Sequence, residues 1–276
     1  MAKTLLRGLE LIEAIGQYGP LTVAELAART GVELTAVYRT VAACEPDGWL
    51  IREAGKVQVG PRCALLGLTS SATAASRRAE PLVRAIAGAT GLNCSVSVLV
   101  GRDVMALAQA AGTEFVPLVE GLRSRVPPYL LADGRAIATQ LAPAELARAL
   151  PPEPYPDAAQ LAETGTGLGA DLRRFLASTT PAGAESDRPP ATHAELVEAL
   201  AEIRRTGFAR DTGQFHPTIH CIARPWPAIG IPAAIACVGS RAEITRQRAL
   251  IEACLVAATE PGAGAQDVIN AAARPS

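Results

Sequence analysis

Residues able to do chemistry are sparse in this sequence, and the densest group lies at 211–221: Asp211, His216, His220 and Cys221. Imidazoles and thiols bind metal, and a thiol beside an imidazole is the pair of a cysteine nucleophile and its base. The spacing argues against both. A His-x3-His pair grips a metal best from one face of a helix, and Pro217 inside it would clash with a helix and remove a hydrogen bond. No fourth ligand has a suitable spacing, and no nucleophile elbow surrounds Cys221. The remaining histidine, His193, follows the cap residue Thr192 and reads as a solvated first-turn residue. The other cysteines, Cys44, Cys63, Cys94, Cys237 and Cys254, form no C-x-x-C motif and mostly lie in apolar runs. That is the pattern of reduced, buried thiols. The expectation is therefore no catalytic residue, no metal and no cofactor.

A second constellation sits near the N-terminus. Ala27, Gly31 and Val37 are spaced by four and then six. In a helix-turn-helix a small residue lets the second helix approach, a glycine supplies the turn's positive φ, and an apolar residue closes the core. On the helix that follows, Val37, Val41 and Cys44 share an inner face. Thr35, Ala36 and Arg39 share the outer one, with Tyr38 at its side. Such a face can enter the major groove, where an arginine pairs with guanine or holds a phosphate. Arg52 and Lys56 lie on the next hairpin, where a wing touches phosphate or the minor groove. Thr22, which opens the preceding helix, completes the expected DNA-contact set.

Charge neither announces nor excludes this partner. The 276 residues carry 26 Lys+Arg against 27 Asp+Glu, a formal net charge of −1. Through Leu68, seven basic residues meet seven acidic ones. Binding to double-stranded DNA then depends on charge segregation or on doubling the basic face by dimerisation, and predicts a shallow salt dependence per subunit.

The elements that must position these groups follow from periodicity. Leu5, Leu6, Leu9, Ile12 and Ile15 fall on one face of a helix over 4–18. Thr22 and Glu25 form a capping box, Gly31 ends that helix, and a third helix runs over 35–44. Runs at 49–52 and 56–59, joined at Ala54-Gly55, read as a hairpin. Residues 61–90 are mostly helical, with a hinge near Ser70-Ser71. Strands are expected at 93–100, 104–110, 115–119, 208–210, 219–223 and 233–238, and helices at 134–141 and 143–150. Capping boxes at Thr192/Glu195 and Ser240/Glu243 open helices to Gly207 and to about 258. Rich in Pro, Gly, Ser and acids, 151–190 reads as a long, partly disordered insertion with a helical turn near 170–176. Residues 261–276 read as a loose tail. The apolar runs are too short to span a membrane. Residues 1–11 lack the apolar core of a signal peptide, which points to a cytoplasmic chain.

Several segments taken in order resemble the IclR-type transcriptional regulators. They are Leu5-Leu6-Arg7-Gly8-Leu9-Glu10, Leu21-Thr22-Val23-Ala24-Glu25-Leu26-Ala27, Val37-Tyr38-Arg39, Gly48-Trp49-Leu50 and Val57-Gln58-Val59-Gly60. The likeness continues at Leu131-Ala132-Asp133-Gly134-Arg135-Ala136, Gly207-Phe208-Ala209, Ile219-His220-Cys221 and Ala233–Gly239. It covers nearly the whole chain outside 151–190 and the tail. The resemblance implies an α+β chain with an N-terminal winged helix-turn-helix (1–68). A linker helix (69–90) then leads to a GAF-like α/β effector-binding domain (91–260). It also implies a homodimer or tetramer and a small organic effector. The family's run at the start of the recognition helix is of Lys-Ser-Thr type, where this chain has Leu34-Thr35-Ala36, and its Gly-Lys-Ala lysine is Arg135.

The implied effector contacts are Leu131, Ala132, Asp133 and Gly134, then Asp211, Cys221, Ala236 and Val238. Ala236 and Val238 share a face by period-two alternation. The amides of Gly134 and Arg135, opening a helix, suggest an oxygen-bearing ligand such as a carboxylic acid with an apolar body. The first reading is a ligand-responsive regulator, more in keeping with a repressor, of small organic-acid or aromatic metabolism. Two alternatives stay open: a small-molecule sensor with decayed DNA binding, and a metal- or thiol-dependent enzyme.

Overall fold

The computed structural model describes residues 2–68, 70–113, 126–164, 169, 172–173, 175–177, 187–227 and 230–274. It divides into two compact units, Met1–Thr73 and Ala74–Ser276. Among the described residues no helix is long and apolar enough to cross a membrane.

The first unit holds α1 (Ala2–Tyr18), α2 (Val23–Thr30), α3 (Leu34–Cys44), the hairpin β1 (Leu50–Glu53) and β2 (Lys56–Val59), and α4 (Pro61–Leu68). Its core is small: Leu11, Ile15, Leu21, Val23, Leu26, Val37, Val41, Leu50 and Val57. The expected apolar stripe of α1 is only half used. Ile15 is buried, but Leu5, Leu6 and Leu9 are 66, 56 and 52% exposed. Gly31 caps α2 with φ +68°, the left-handed turn the spacing requires. Ala54 and Gly55 both have positive φ, as a two-residue hairpin turn demands. Leu21 exchanges backbone hydrogen bonds with Val57 (2.7 and 3.1 Å), tying the hairpin to the start of α2.

The second unit is built on a five-stranded antiparallel sheet, ordered β4-β3-β7-β6-β5. The strands are β3 (Asn93–Val100), β4 (Asp103–Ala110), β5 (Ala209–His216), β6 (Ile219–Pro225) and β7 (Ala233–Gly239). One face carries α5 (Ser71–Thr90) and the C-terminal helices α10 (Arg241–Arg246), α11 (Arg248–Thr259) and α12 (Ala265–Ala272). The other carries α6 (Ala132–Ala138), α7 (Pro143–Ala149), α8 (Ala158–Ala162) and α9 (His193–Thr206). Alternation sorts each strand between these layers. Ala233, Ile235 and Cys237 of β7 pack against the first set, and Ala234 and Ala236 against the second.

Several expectations need correction. The helix expected as a linker buries Ala75, Ala79, Leu82, Val83 and Ile86 against the sheet, so from Ala75 onward it belongs to the second unit's core. The described part of 151–190 is packed rather than loose. Tyr155, Ala158, Ala162, Leu172 and Phe175 are buried, and their apolar side chains outweigh the polar composition around them. The last long helix breaks at Gln247 (φ −104°, ψ 12°). The tail contains α12, whose Val268 is fully buried. Strand β5 extends beyond 208–210 to His216, with a register irregularity between Thr212 and His216. At Thr192 only half the capping box forms. Thr192 accepts from the Glu195 amide, while the Glu195 carboxylate accepts from the Ala191 amide (2.7 Å). The strand expected at 115–119 lies outside the described residues.

Candidate DNA interface and effector site

Helix α3 turns Val37 and Val41 into the core and leaves Thr35, Tyr38 and Arg39 exposed, with Ala36 half-buried. The groups around this face are mostly engaged. Thr22 caps α2: its hydroxyl accepts from the Glu25 amide (3.2 Å), and the Glu25 carboxylate accepts from the Thr22 amide (2.7 Å). Those bonds hold Glu25 below the usual carboxylate range. Arg52 pairs with Glu45 (3.4 Å), its guanidinium 6.0 Å from the Tyr38 ring centroid. Arg62 pairs with Asp47 (3.5 Å) over the Trp49 ring. Lys56 and Arg39 are exposed.

The residue that sequence reasoning missed here is Glu33. It is the N-cap of α3, and its carboxylate accepts from the amides of Thr35 (2.9 Å) and Ala36 (3.1 Å). Hydrogen bonds from the Thr35 side chain and from these amides pull its pKa down. An acid at the cap suits the helix dipole, but it fills the end of α3 that could otherwise receive a phosphate. The signal was present as Glu33-Leu34-Thr35, an acid where Ser, Thr, Asp or Asn is usual.

In the second unit the expected effector residues do converge. Register pairs Asp211 with Cys221, Cys221 with Val238, and Ala223 with Ala236. Asp211, Cys221, Val238 and Ala236 therefore line one face of the sheet. Opposite that face α6 brings Ala132, Asp133 and Gly134, with Leu131 as its N-cap. A Cβ on Gly134 would lie 2.3 Å from the Pro128 carbonyl oxygen, so only glycine allows this approach. His220 falls on the other face from Cys221 by alternation. The His216 ring is buried edge-on to Phe175 (5.3 Å), its Nδ1 2.9 Å from the Thr218 hydroxyl. His193 is exposed.

The polar centre of the site is Arg135, 3% exposed. Its Nη1 donates to the carbonyls of Tyr129 (3.1 Å) and Leu130 (3.4 Å). Its Nη2 donates to the Arg210 carbonyl (2.8 Å) and to Gln214 Oε1 (2.6 Å). Asp211, also buried, accepts from the amides of Gly213 (2.9 Å), Gln214 (2.7 Å) and Phe215 (3.3 Å). Burial raises the carboxyl pKa of both Asp133 and Asp211 and pushes the Cys221 thiol well up. Against the expectation of an anion at the head of α6, both amides there are taken. Gly134 donates to Asp133 Oδ1 (2.9 Å), and Arg135 donates to the Leu131 carbonyl (3.0 Å). Ser97 and Gln214 belong to the site and were not foreseen. The alternation Ser95-Val96-Ser97 could have placed Ser97, whereas the Gln214 contact spans 79 residues.

A small helix-turn-helix unit followed by a separate α/β unit with a buried polar cluster on one sheet face is the architecture of a class, the two-domain transcriptional regulators. Comparison narrows it. Residues 4–53 match the IclR helix-turn-helix domain model. The HTH-type transcriptional regulator BhcR of Paracoccus denitrificans is 26% identical over 227 residues, covering 81% of this chain and 71% of that protein. Among solved structures, a putative IclR regulator from Silicibacter sp. TM1040 aligns with TM-score 0.61 and 19% identity, over 99% of this chain and 98% of that one. An IclR homolog from Microbacterium hydrocarbonoxydans, complexed with 4-hydroxybenzoate, gives 0.62 and 18%, over 98% of each. Residues 4–53 are thus an IclR-type helix-turn-helix domain, and over nearly its whole length the chain has the fold of the IclR-type transcriptional regulators it is similar to.

Proposed function

We propose that the chain binds double-stranded operator DNA as a homodimer, and that a small organic effector at the α6–sheet site biases the dimer between DNA-binding states, most simply as a repressor. The carrying observation is α3, with Val37 and Val41 inside and Thr35, Tyr38 and Arg39 outside. Exposed apolar side chains support self-association: Leu5, Leu6 and Leu9 on α1, and Leu65, Leu66 and Leu68 on α4, at 59–63% for the last three. Pairing into tetramers is a further step of the same reading. The effector role draws support from the Microbacterium homolog, which carries 4-hydroxybenzoate. It extends to a role in small organic-acid or aromatic metabolism and a place in the cytoplasm.

The test is fluorescence anisotropy of the full chain on DNA from upstream of its own gene, at 50 and 200 mM salt. Specific binding that Arg39→Ala weakens, with a shallow salt slope, supports the reading. A second reading, a sensor whose DNA binding has decayed, is favoured by Glu33 at the α3 cap and by the Arg52–Glu45 and Arg62–Asp47 pairs. Equal binding to upstream and unrelated DNA would favour it.

A further inference from the structure

Helix α3 carries an apolar stripe that its own core does not use. Leu34, Tyr38 and Ala42 follow at steps of four, so they share one side of the helix. All three are exposed, the two large ones at 46 and 50%. None belongs to the core, which α3 enters with Val37 and Val41. A single exposed apolar residue needs no explanation, but a contiguous row marks an interaction surface. Thr35 is exposed beside the stripe, whereas the Thr40 hydroxyl turns back to donate to the Ala36 carbonyl (2.8 Å). Arg39 is the one charged side chain within α3. More cations frame the row: Arg52 lies 6.0 Å from the Tyr38 ring centroid, and Lys56 is exposed on the same hairpin. At the N-terminal end the Glu33 carboxylate holds the amides of Thr35 and Ala36, and an acid there repels phosphate. The helix end is thus closed to the DNA backbone. What α3 presents is a row of carbon flanked by positive charge.

We propose that this stripe reads thymine: Leu34, Tyr38 and Ala42, with the Thr35 methyl, meet thymine 5-methyl groups in the major groove, while Arg39 makes the one charged base contact, to a guanine. The proposal rests on the operator-binding reading above and names the sequence class that α3 prefers. Thymine alone presents a methyl group in the major groove, and apolar side chains meet it there; arginine matches the two acceptors of guanine. Leucine and alanine cannot pair with the donors and acceptors on other base edges, so the same face laid on G·C pairs would leave those groups desolvated and unpaired. A duplex is the occupant that fits, because Arg39, Arg52 and Lys56 around the stripe match a polyanion. A second copy of the chain would set those cations against their own kind. Each half-site is therefore expected to hold a guanine beside a short thymine-rich run.

Selection of duplexes by the full chain from a random pool begins the test, and half-sites with a guanine beside thymines are expected. The winning duplex is then made with deoxyuridine for thymidine, which removes only the 5-methyl groups, and binding is followed by anisotropy. A loss of about fourfold is expected for each methyl in contact. Leu34→Gln is expected to bring the thymine and uracil duplexes closer in affinity, and Arg39→Ala to weaken both alike. A winning duplex without thymines, equal binding of its uracil form, or a thymine preference that Leu34→Gln leaves unchanged overturns the proposal and leaves operator binding standing. A pool that yields no enriched duplex overturns both. If Leu34→Gln instead shifts the oligomeric state in sedimentation and leaves the thymine preference intact, the stripe is a contact between copies and the proposal falls. The wild-type comparison of thymine with uracil needs no variant, so it decides even if a substituted chain fails to fold.

Discussion

Residues 1–73 hold their arginines at the surface, whereas residues 74–276 hold Arg135 inside, surrounded by four acceptors. In the first unit Arg52 and Arg62 pair with acids that are themselves partly solvated, and each pair is worth about 0–1 kcal/mol. In the second the same side-chain type is desolvated. There the arrangement tolerates little change, because each removed partner leaves a buried group unpaired. A surface arginine stays available to a phosphate. A buried one is a fixed part of the fold, committed to its four acceptors.

The contrast can be broken first at Arg135. Arg135→Met orphans the Arg210 carbonyl and Gln214 and leaves Asp211 buried beside no cation. A loss of about 3–5 kcal/mol is expected by urea unfolding. A loss under 1 kcal/mol would mean that the network matters no more than a surface pair. The same interior titrates. Burial lowers the pKa of His216 and His220 from the ordinary 6.5. The unfolded chain therefore takes up protons that the folded one refuses, and stability falls as pH drops through 6.5. His216→Gln should flatten part of that decline in thermal melts. The raised carboxyls of Asp133 and Asp211 act in the opposite sense, losing stability as pH climbs from 3.8 through their folded values.

In the first unit the largest loss should come from packing, not charge. Leu26→Ala empties a fully buried site in a nine-residue core and is expected to destabilise by about 2–5 kcal/mol by the same measurement. Next comes the cap: Thr22→Ala removes the bond to the Glu25 amide, at about 1 kcal/mol. Smallest is Arg62→Gln, expected within about 0.5 kcal/mol in stability. If it nonetheless weakens DNA binding in anisotropy, the pair with Asp47 opens on DNA.

How far the sequence could be read follows the range of the interactions. Thr22 with Glu25, Gly31, and Ala54-Gly55 are local rules about capping and positive φ, and each reappears in the structure. The sheet face shared by Asp211, Cys221, Ala236 and Val238 also follows from alternation once the strands are known. The contacts of Arg135 with residues 75 and 79 positions away have no local signature. Nor does composition reveal that Tyr155, Leu172 and Phe175 pull a Pro-rich stretch into the core. Glu33 has a local signature, an acid two residues before Thr35, but a glutamate is an uncommon N-cap and reads first as surface charge.

Val268 has a practical consequence for where this chain tolerates cutting. It is fully buried in the layer formed by α5 and α11, with Ala272 packed beside it. A chain stopped at Ala258, or a fusion made there, would uncover that apolar layer and invite association of the exposed faces. The permissive junction lies after Ala272, where the last helix ends.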